Sequence, residues 1–73
     1  MTNHELDCRH LTCPMPIVKI SRAMKAIASG ETLAIRATDA AFRADLEAWV
    51  SKSGHELLEF ADGAEQFALL KKT

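Results

Sequence analysis

The stretch Cys13–Gly30, CPMPIVKISRAMKAIASG, carries the clearest helix signal in the sequence. Between Pro14 and Ser29, apolar residues recur at the spacing of one helix face: Ile17, Ile20, Met24 and Ile27. Pro14 and Pro16 fall in the first turn, where a missing N–H disturbs no intrahelical bond. We therefore predict an amphipathic helix over residues 14–29, with Gly30 at the C′ position that ends it.

Strand patterns surround this helix. Leu6–Arg9 alternates, so that Leu6 and Cys8 share one face, and residues 9–12 form a loop. Thr32–Thr38 alternates in the same way. Glu56–Ala61 and Ala64–Lys72 are two further predicted strands, and Asp62-Gly63 between them indicates a two-residue hairpin turn.

A second helix is predicted between the second and third strands. Asp39 is a suitable N-cap, and Ser53-Gly54 ends the pattern. The apolar stripe of this helix is Phe42, Leu46, Trp49 and Val50. Its aromatic side chains suit a core better than a base-stacking platform.

The resulting order, β-α-β-α-β-β, predicts an α+β fold. Each helix has only one apolar face, and the strands are half polar. The simplest packing is a two-layer α/β sandwich, in which a four-stranded mixed sheet carries both helices on one face. With 73 residues, we expect a single domain spanning residues 1–73.

Composition and net charge limit the classes of function open to this chain. Hydrophobic residues make up 48% of the chain, which is enough for a core. The net charge of −1 argues against stable nucleic-acid binding, which needs excess Lys and Arg. We expect no signal peptide and no membrane span, hence a cytoplasmic protein whose two cysteines, Cys8 and Cys13, are reduced.

Cys13 is the candidate reactive residue. Pro14 directs it out of the α region, so it falls at the N-cap or next to it. There the positive end of the helix dipole lowers a thiol pKa and stabilises a thiolate or persulfide anion. Met15 and Ile17 offer backbone donors nearby, and the cations Arg9, His10 and Lys19 are close in sequence. An ordinary capping cysteine before an N1 proline is the plainer alternative.

Cys-Pro-x-Pro at a helix start resembles the TusA/SirA family of small sulfur-carrier proteins. The resembling residues are Leu6–Arg9, Leu11–Lys19, Ala37–Asp39, Ser53–Leu57 and Asp62-Gly63, so the resemblance covers nearly the whole chain. It implies a two-layer sandwich similar to the C-terminal domain of bacterial translation initiation factor three. It also implies that Cys13 accepts sulfane sulfur as a persulfide and passes it to a partner.

The resemblance implies a sulfurtransferase-like carrier that works with partner enzymes. The expected donor is a cysteine desulfurase or a rhodanese-type protein, and the expected acceptor is another protein in a sulfur relay, such as tRNA thiolation or sulfur oxidation. No metal and no organic cofactor is expected, and a monomer is the simplest state. One departure stands at His10, where many members carry glycine; a positive φ there would strain histidine, and its side chain would either tune the sulfur or stay exposed.

Cys8 leaves two alternatives open. It is either a buried packing residue or a resolving thiol for Cys13 in a redox switch or interaction module. A zinc site built from His4, Cys8, His10 and Cys13 is a weaker hypothesis, because a core-facing Cys8 cannot share a metal with Cys13. Exposed Lys19, Arg22 and Lys25 form either a solvated helix face or a docking patch for an acidic partner, with residues 14–16 as its apolar centre.

Overall fold

The computed structural model describes residues 3–12 and 14–73, so Cys13 lies outside the described residues. The elements are β1 (Asn3–Cys8), α1 (Met15–Ala26), β2 (Thr32–Ala37), α2 (Phe42–Ser53), β3 (Glu56–Ala61) and β4 (Gln66–Lys71). The predicted β-α-β-α-β-β order is confirmed. Neither helix is long and apolar enough to cross a membrane, among the residues searched.

The four strands form one mixed sheet in the order β1-β2-β4-β3. β1 and β2 are parallel, as expected for strands joined through a helix, with Cys8 beside Ala37 at the last pair. β4 is antiparallel to both β2 and β3. This register brings the ends of β1 and β2 to the same edge of the sheet, next to the start of α1.

The core lies between the sheet and the two helices. Side chains on one sheet face are buried, and they share a cluster with buried residues of both helices. The strand members are Cys8, Leu33, Ile35, Ala37, Ala68 and Leu70, and the helix members include Ile20, Met24, Phe42 and Leu46. The alternation predicted for β2 is confirmed, and the fold is the predicted α+β sandwich.

Helix α1 ends earlier than predicted. Its last residue is Ala26, and Ile27 leaves the helix in an extended conformation (φ −95°, ψ 163°). Ile27 is 8% exposed, so burying its side chain ends the helix before the glycine is reached. Gly30 (φ +87°) therefore is not at C′; it lies in the following turn, where its N–H donates to the Lys72 C=O at 2.7 Å.

Helix α2 also begins differently. The predicted Asp39 cap is wrong, because the helix starts at Phe42 with Ala41 as N-cap and no side-chain cap. The Asp39 C=O instead accepts hydrogen bonds from the Phe42 N–H (3.1 Å) and the Gln66 Nε2 (2.7 Å). Gln66 is buried, and its amide needs an acceptor that the apolar core does not offer.

The β3–β4 hairpin is confirmed, but its connection is longer than predicted. The four residues 62–65 join the strands, so Asp62-Gly63 is only the first half of the loop. The register also shifts between Leu57 and Glu59, which leaves Leu58 exposed. The C-terminal end of α2 does follow the prediction: Gly54 is left-handed (φ 82°) and its N–H donates to the Val50 C=O.

Candidate functional site

The start of α1 is the candidate site because Cys13 immediately precedes it in the sequence. Pro14 is the N-cap (φ −98°, ψ 12°) rather than the first helical residue, so Pro16 takes the second helical position. The predicted placement of Cys13 at the N-cap or next to it lies outside the described residues. Pro16 is buried, whereas Pro14 and Met15 are exposed, Met15 by 46%.

The backbone donors of this turn are only partly available to an anion. The Met15 N–H donates to the Thr12 C=O at 2.9 Å, which links the residues on either side of positions 13 and 14. Met15, one of the two donors that the sequence indicated, is therefore already hydrogen bonded within the turn. No acidic residue occupies the first turn of α1, so no carboxylate neutralises the positive end of its dipole there.

Residues 9–11, in the loop that leads to position 13, each form a hydrogen bond to another part of the chain. The Leu11 N–H donates to the Cys8 C=O (3.3 Å) and closes a turn at the end of β1. The His10 N–H donates to Thr38 Oγ1 (2.9 Å), just beyond the end of β2. Arg9 reaches Glu65 before β4, with Nη1 3.2 Å from Oε2. The loop is thus held at three successive residues.

The Arg9 guanidinium forms ion pairs with two carboxylates. Its Nε and Nη2 donate to Oδ1 and Oδ2 of Asp7, each at 3.0 Å, and its Nη1 donates to Glu65. The side-chain hydrogen bond from Arg9, aided by the Arg9 backbone N–H, lowers the pKa of Asp7 to about 2. The hydrogen bonds to Asp7 and Glu65 in turn raise the pKa of Arg9. Because its charge is compensated, Arg9 contributes less free positive potential than its type suggests.

This pair gives a pH-dependent prediction. The pKa of Asp7 is lower in the folded protein than in the unfolded chain, so the ionised Asp7 carboxylate stabilises the fold. This stabilisation is fully present above the unfolded pKa of about 4 and is lost as pH falls through about 2. In Arg9→Gln, the pKa of Asp7 should rise toward its ordinary value, and the retained backbone N–H of residue 9 should keep part of the lowering. Carbon-detected NMR titration measures this directly. Glu65→Gln is the control and should leave the Asp7 pKa low; an unchanged Asp7 titration in Arg9→Gln contradicts the assignment.

His10 has a left-handed backbone, with φ +66°. The condition under which histidine would be less favourable than glycine here is therefore met, because a side chain with a Cβ disfavours positive φ. The side chain is exposed, and the hydrogen bond to Thr38 comes from the backbone N–H. The contribution of residue 10 to the loop is therefore made by its backbone.

We predict that His10→Gly is more stable than His10→Ala by about 1 kcal/mol, because only alanine retains the Cβ that disfavours positive φ. Comparing these two variants removes the histidine side chain from both. Urea unfolding monitored by circular dichroism gives the difference. Alanine equal to or more stable than glycine, the usual order in helices, is the result that rejects a left-handed position 10.

Cys8 is a core residue. Its side chain is fully buried (0% exposed), and its Sγ lies 4.0 Å from the Pro16 C=O. Burial raises the pKa of the Cys8 thiol, and the nearby half-buried Lys19 only partly opposes this. A buried thiol with a raised pKa is a poor nucleophile, so this geometry favours the packing role over the resolving-thiol role. Lys19 itself is half buried, whereas Arg22, one turn further along α1, is exposed.

Sequence reasoning did not identify two residues that hold the loop. Glu65 is 56 positions from Arg9, and no local pattern links them. Thr38 was detectable in principle, because parallel pairing of β1 with β2 places the residues after both strands side by side. Trp49, which the sequence assigned to the core, is half buried and packs against the core cluster; it also lines a groove between the two helices.

Comparison with known proteins gives a family match over most of the chain. Residues 4–72 match the family model described as sulfurtransferase TusA. Over 53 residues the chain is 55% identical to the putative sulfur carrier protein YrkF of Bacillus subtilis, covering 73% of this chain and 29% of YrkF. The chain thus spans less than a third of that relative.

Two further relatives are covered over most of their length. The putative sulfur carrier protein YrkI of Bacillus subtilis is 47% identical over 57 residues, which is 78% of this chain and 76% of YrkI. The sulfur carrier protein TusA of Allochromatium vinosum is 34% identical over 70 residues, which is 96% of this chain and 92% of that protein. Because the family match extends from residue 4 to residue 72, the chain belongs to the TusA sulfurtransferase family.

Proposed function

We propose that this protein is a sulfur carrier that holds sulfane sulfur as a persulfide on Cys13. The observation that carries the proposal is the complete burial of Cys8. The chain has two cysteines, and a carrier thiol must be reached by the active sites of its partners. With Cys8 closed off in the core, Cys13 is the thiol that can serve. The relatives named as sulfur carriers support the same role.

Loading is attack by a thiolate on sulfur. The Cys13 thiolate attacks the outer sulfur of a donor persulfide, R–S–SH; the donor S–S bond breaks and the donor leaves as R–S⁻. The product is Cys13–S–SH, and no electrons are gained or lost overall. Delivery repeats the step: an acceptor thiolate attacks the outer sulfur, and Cys13 leaves as a thiolate.

The start of α1 suits both steps. A first turn without acidic residues keeps its positive potential, which lowers the pKa of a nearby thiol. The same potential favours the persulfide, which is anionic at neutral pH. The loop contacts of Arg9 and His10 restrict the approach of the chain to position 13. These residues act by positioning, and the chemistry needs no metal or organic cofactor.

The protein works between two partners. A cysteine desulfurase or a rhodanese-type protein supplies the sulfur, and a second protein with a reactive thiol receives it. The relay feeds a pathway such as tRNA thiolation or sulfur oxidation. A reducing cytoplasm suits this chemistry, because free thiols and persulfides persist there.

Mass spectrometry tests the proposal. The reduced protein is incubated with a cysteine desulfurase and cysteine, or with a rhodanese and thiosulfate, and is then alkylated and analysed intact and as peptides. We expect a gain of one sulfur atom on the peptide that contains Cys13. A sulfur located on Cys8 would overturn the site assignment. A loss of two hydrogens with no sulfur gained would instead favour a Cys8–Cys13 redox switch.

A further inference from the structure

A groove lies on the surface between α1 and α2. It begins at Pro14, the residue after Cys13, and has a volume of about 350 Å³. Its apolar part is formed by Pro14, Ile17 and Val18 of α1 and by Trp49 of α2. All of these side chains stay partly exposed, so apolar surface faces solvent here.

The groove is also positively charged. Arg22 and Lys25 line it, and no carboxylate does. Both are exposed, and within residues 3–12 and 14–73 neither has an acidic side chain at ion-pair distance. Arg9 and Arg43, by contrast, each contact two carboxylates. In a chain of net charge −1, two unpaired cations beside an apolar groove are a local excess of positive charge.

The groove is long enough for a short peptide. A second cavity of about 190 Å³ continues it, sharing Ser21, Lys25 and Trp49 and reaching His55. Along α1, the distance from Pro14 to Lys25 is about 16 Å at 1.5 Å per residue. Extended chain rises about 3.3 Å per residue, so this length accommodates about five residues.

We propose that the groove docks an extended acidic segment with an apolar side chain, belonging to the protein that exchanges sulfur with Cys13. Carboxylates of the segment pair with Arg22 and Lys25, and its apolar side chain packs against Trp49. A segment seated in this way ends at Pro14 and brings its parent protein to the carrier cysteine. The inference rests on the proposed function for the identity of the partner but not for the binding itself.

Two cations with an apolar floor fit an acidic peptide better than a nucleic acid. Nucleic-acid sites track many phosphates and need a larger cationic surface. The matched charges also predict that binding weakens as salt is added. Short synthetic probes, one an acidic peptide and one an oligonucleotide, distinguish the two classes of ligand.

The first test measures binding without sulfur chemistry. Cys13→Ser protein is titrated with an acetylated pentapeptide alternating glutamate and leucine, and the fluorescence of Trp49, the only tryptophan, is followed. We expect a saturable change with a dissociation constant of about 1 mM or tighter. A pentapeptide with lysine replacing glutamate, and a five-residue oligothymidylate, should bind at least about tenfold more weakly. No saturation with the acidic peptide, or equal binding of either control probe, overturns the proposal.

Paired variants locate the binding. The double variant Arg22→Glu, Lys25→Glu removes the groove cations. The control double variant Arg36→Glu, Lys71→Glu changes the net charge equally on the other face of the sheet. We expect at least about a tenfold loss of peptide affinity in the first and less than about twofold in the second. Equal loss in both would show a general charge effect and reject the groove.

The same variants separate docking from chemistry when Cys13 is restored. Inorganic polysulfide should load both double variants as fast as the wild type, since a small donor needs no docking. Transfer from a persulfide-carrying donor protein that loads the wild type should fall at least about tenfold in the groove variant alone. Failure of polysulfide loading in the wild type would reject Cys13 as the carrier, whereas the peptide titration would still decide the groove.

Discussion

Replacing Cys13 with serine is expected to abolish sulfur loading. A serine hydroxyl stays protonated at neutral pH, so it neither attacks a persulfide nor forms one, and the loaded fraction should fall by at least about a hundredfold. The readout is intact mass after incubation with the donor, with the wild type in parallel. Residue 13 precedes the N-cap, so stability should change by less than about 1 kcal/mol.

Cys8 variants are the matched control for that loss. Cys8→Ala and Cys8→Ser each remove the other thiol, and both should load one sulfur. Serine places a hydroxyl in a fully buried site and should be the less stable of the two by about 1–3 kcal/mol. If Cys13→Ser still gains a sulfur, or if a folded Cys8→Ala protein gains none, the carrier assignment fails.

Phe42→Ala should produce the largest loss of stability. Phe42 is 1% exposed at the start of α2, and its ring lies 6.2 Å from that of Phe60, the planes inclined by 27°. Removing such a ring costs about 3–5 kcal/mol through lost burial and the cavity left behind. A domain of this size has a total stability of about 4–11 kcal/mol, so the variant should be close to unfolding at ambient temperature.

Phe67→Ala is the control, because it removes the same side chain from a position that is less buried. Phe67 is half buried on the sheet face away from the helices, where the Arg36 guanidinium lies 5.7 Å from its ring. No closed cavity forms there, and we expect a loss of about 1–2 kcal/mol. Urea unfolding gives both values, and similar losses at the two positions would contradict the assigned core.

The proposed docking groove connects the fold with the proposed function. Apart from Pro14 at the N-cap, its α1 wall is the stripe next to the buried one, so a single helix supplies the core on one side and a partner surface on the other. Trp49 completes the groove from α2 and is half buried. In the proposed docking, the position of α2 affects partner exchange as well as stability.

The sequence by itself determined the elements and the candidate cysteine. Side-chain periodicity is a local property of the sequence. The alternation of β2 and the buried face of α1, with Ile20 and Met24, could therefore be predicted without contact information. The prolines of Cys-Pro-x-Pro act within one helical turn, so their compatibility with a helix start could also be judged locally. The position of Gly54 at the end of α2 was local in the same sense.

Only the tertiary structure decided where α1 ends, where α2 begins and which distant side chains meet. Ile27 leaves α1 early because the core takes its side chain. Asp39 is not the N-cap of α2 because the helix begins only at Phe42, and the Asp39 carbonyl accepts hydrogen bonds from Phe42 and from the buried Gln66 amide. The contact between Arg9 and Glu65, and the groove of Arg22 beside Trp49, join residues far apart in sequence. These features depend on strand order and helix packing, which are set by the burial of all elements together and not by the preferences of any one segment.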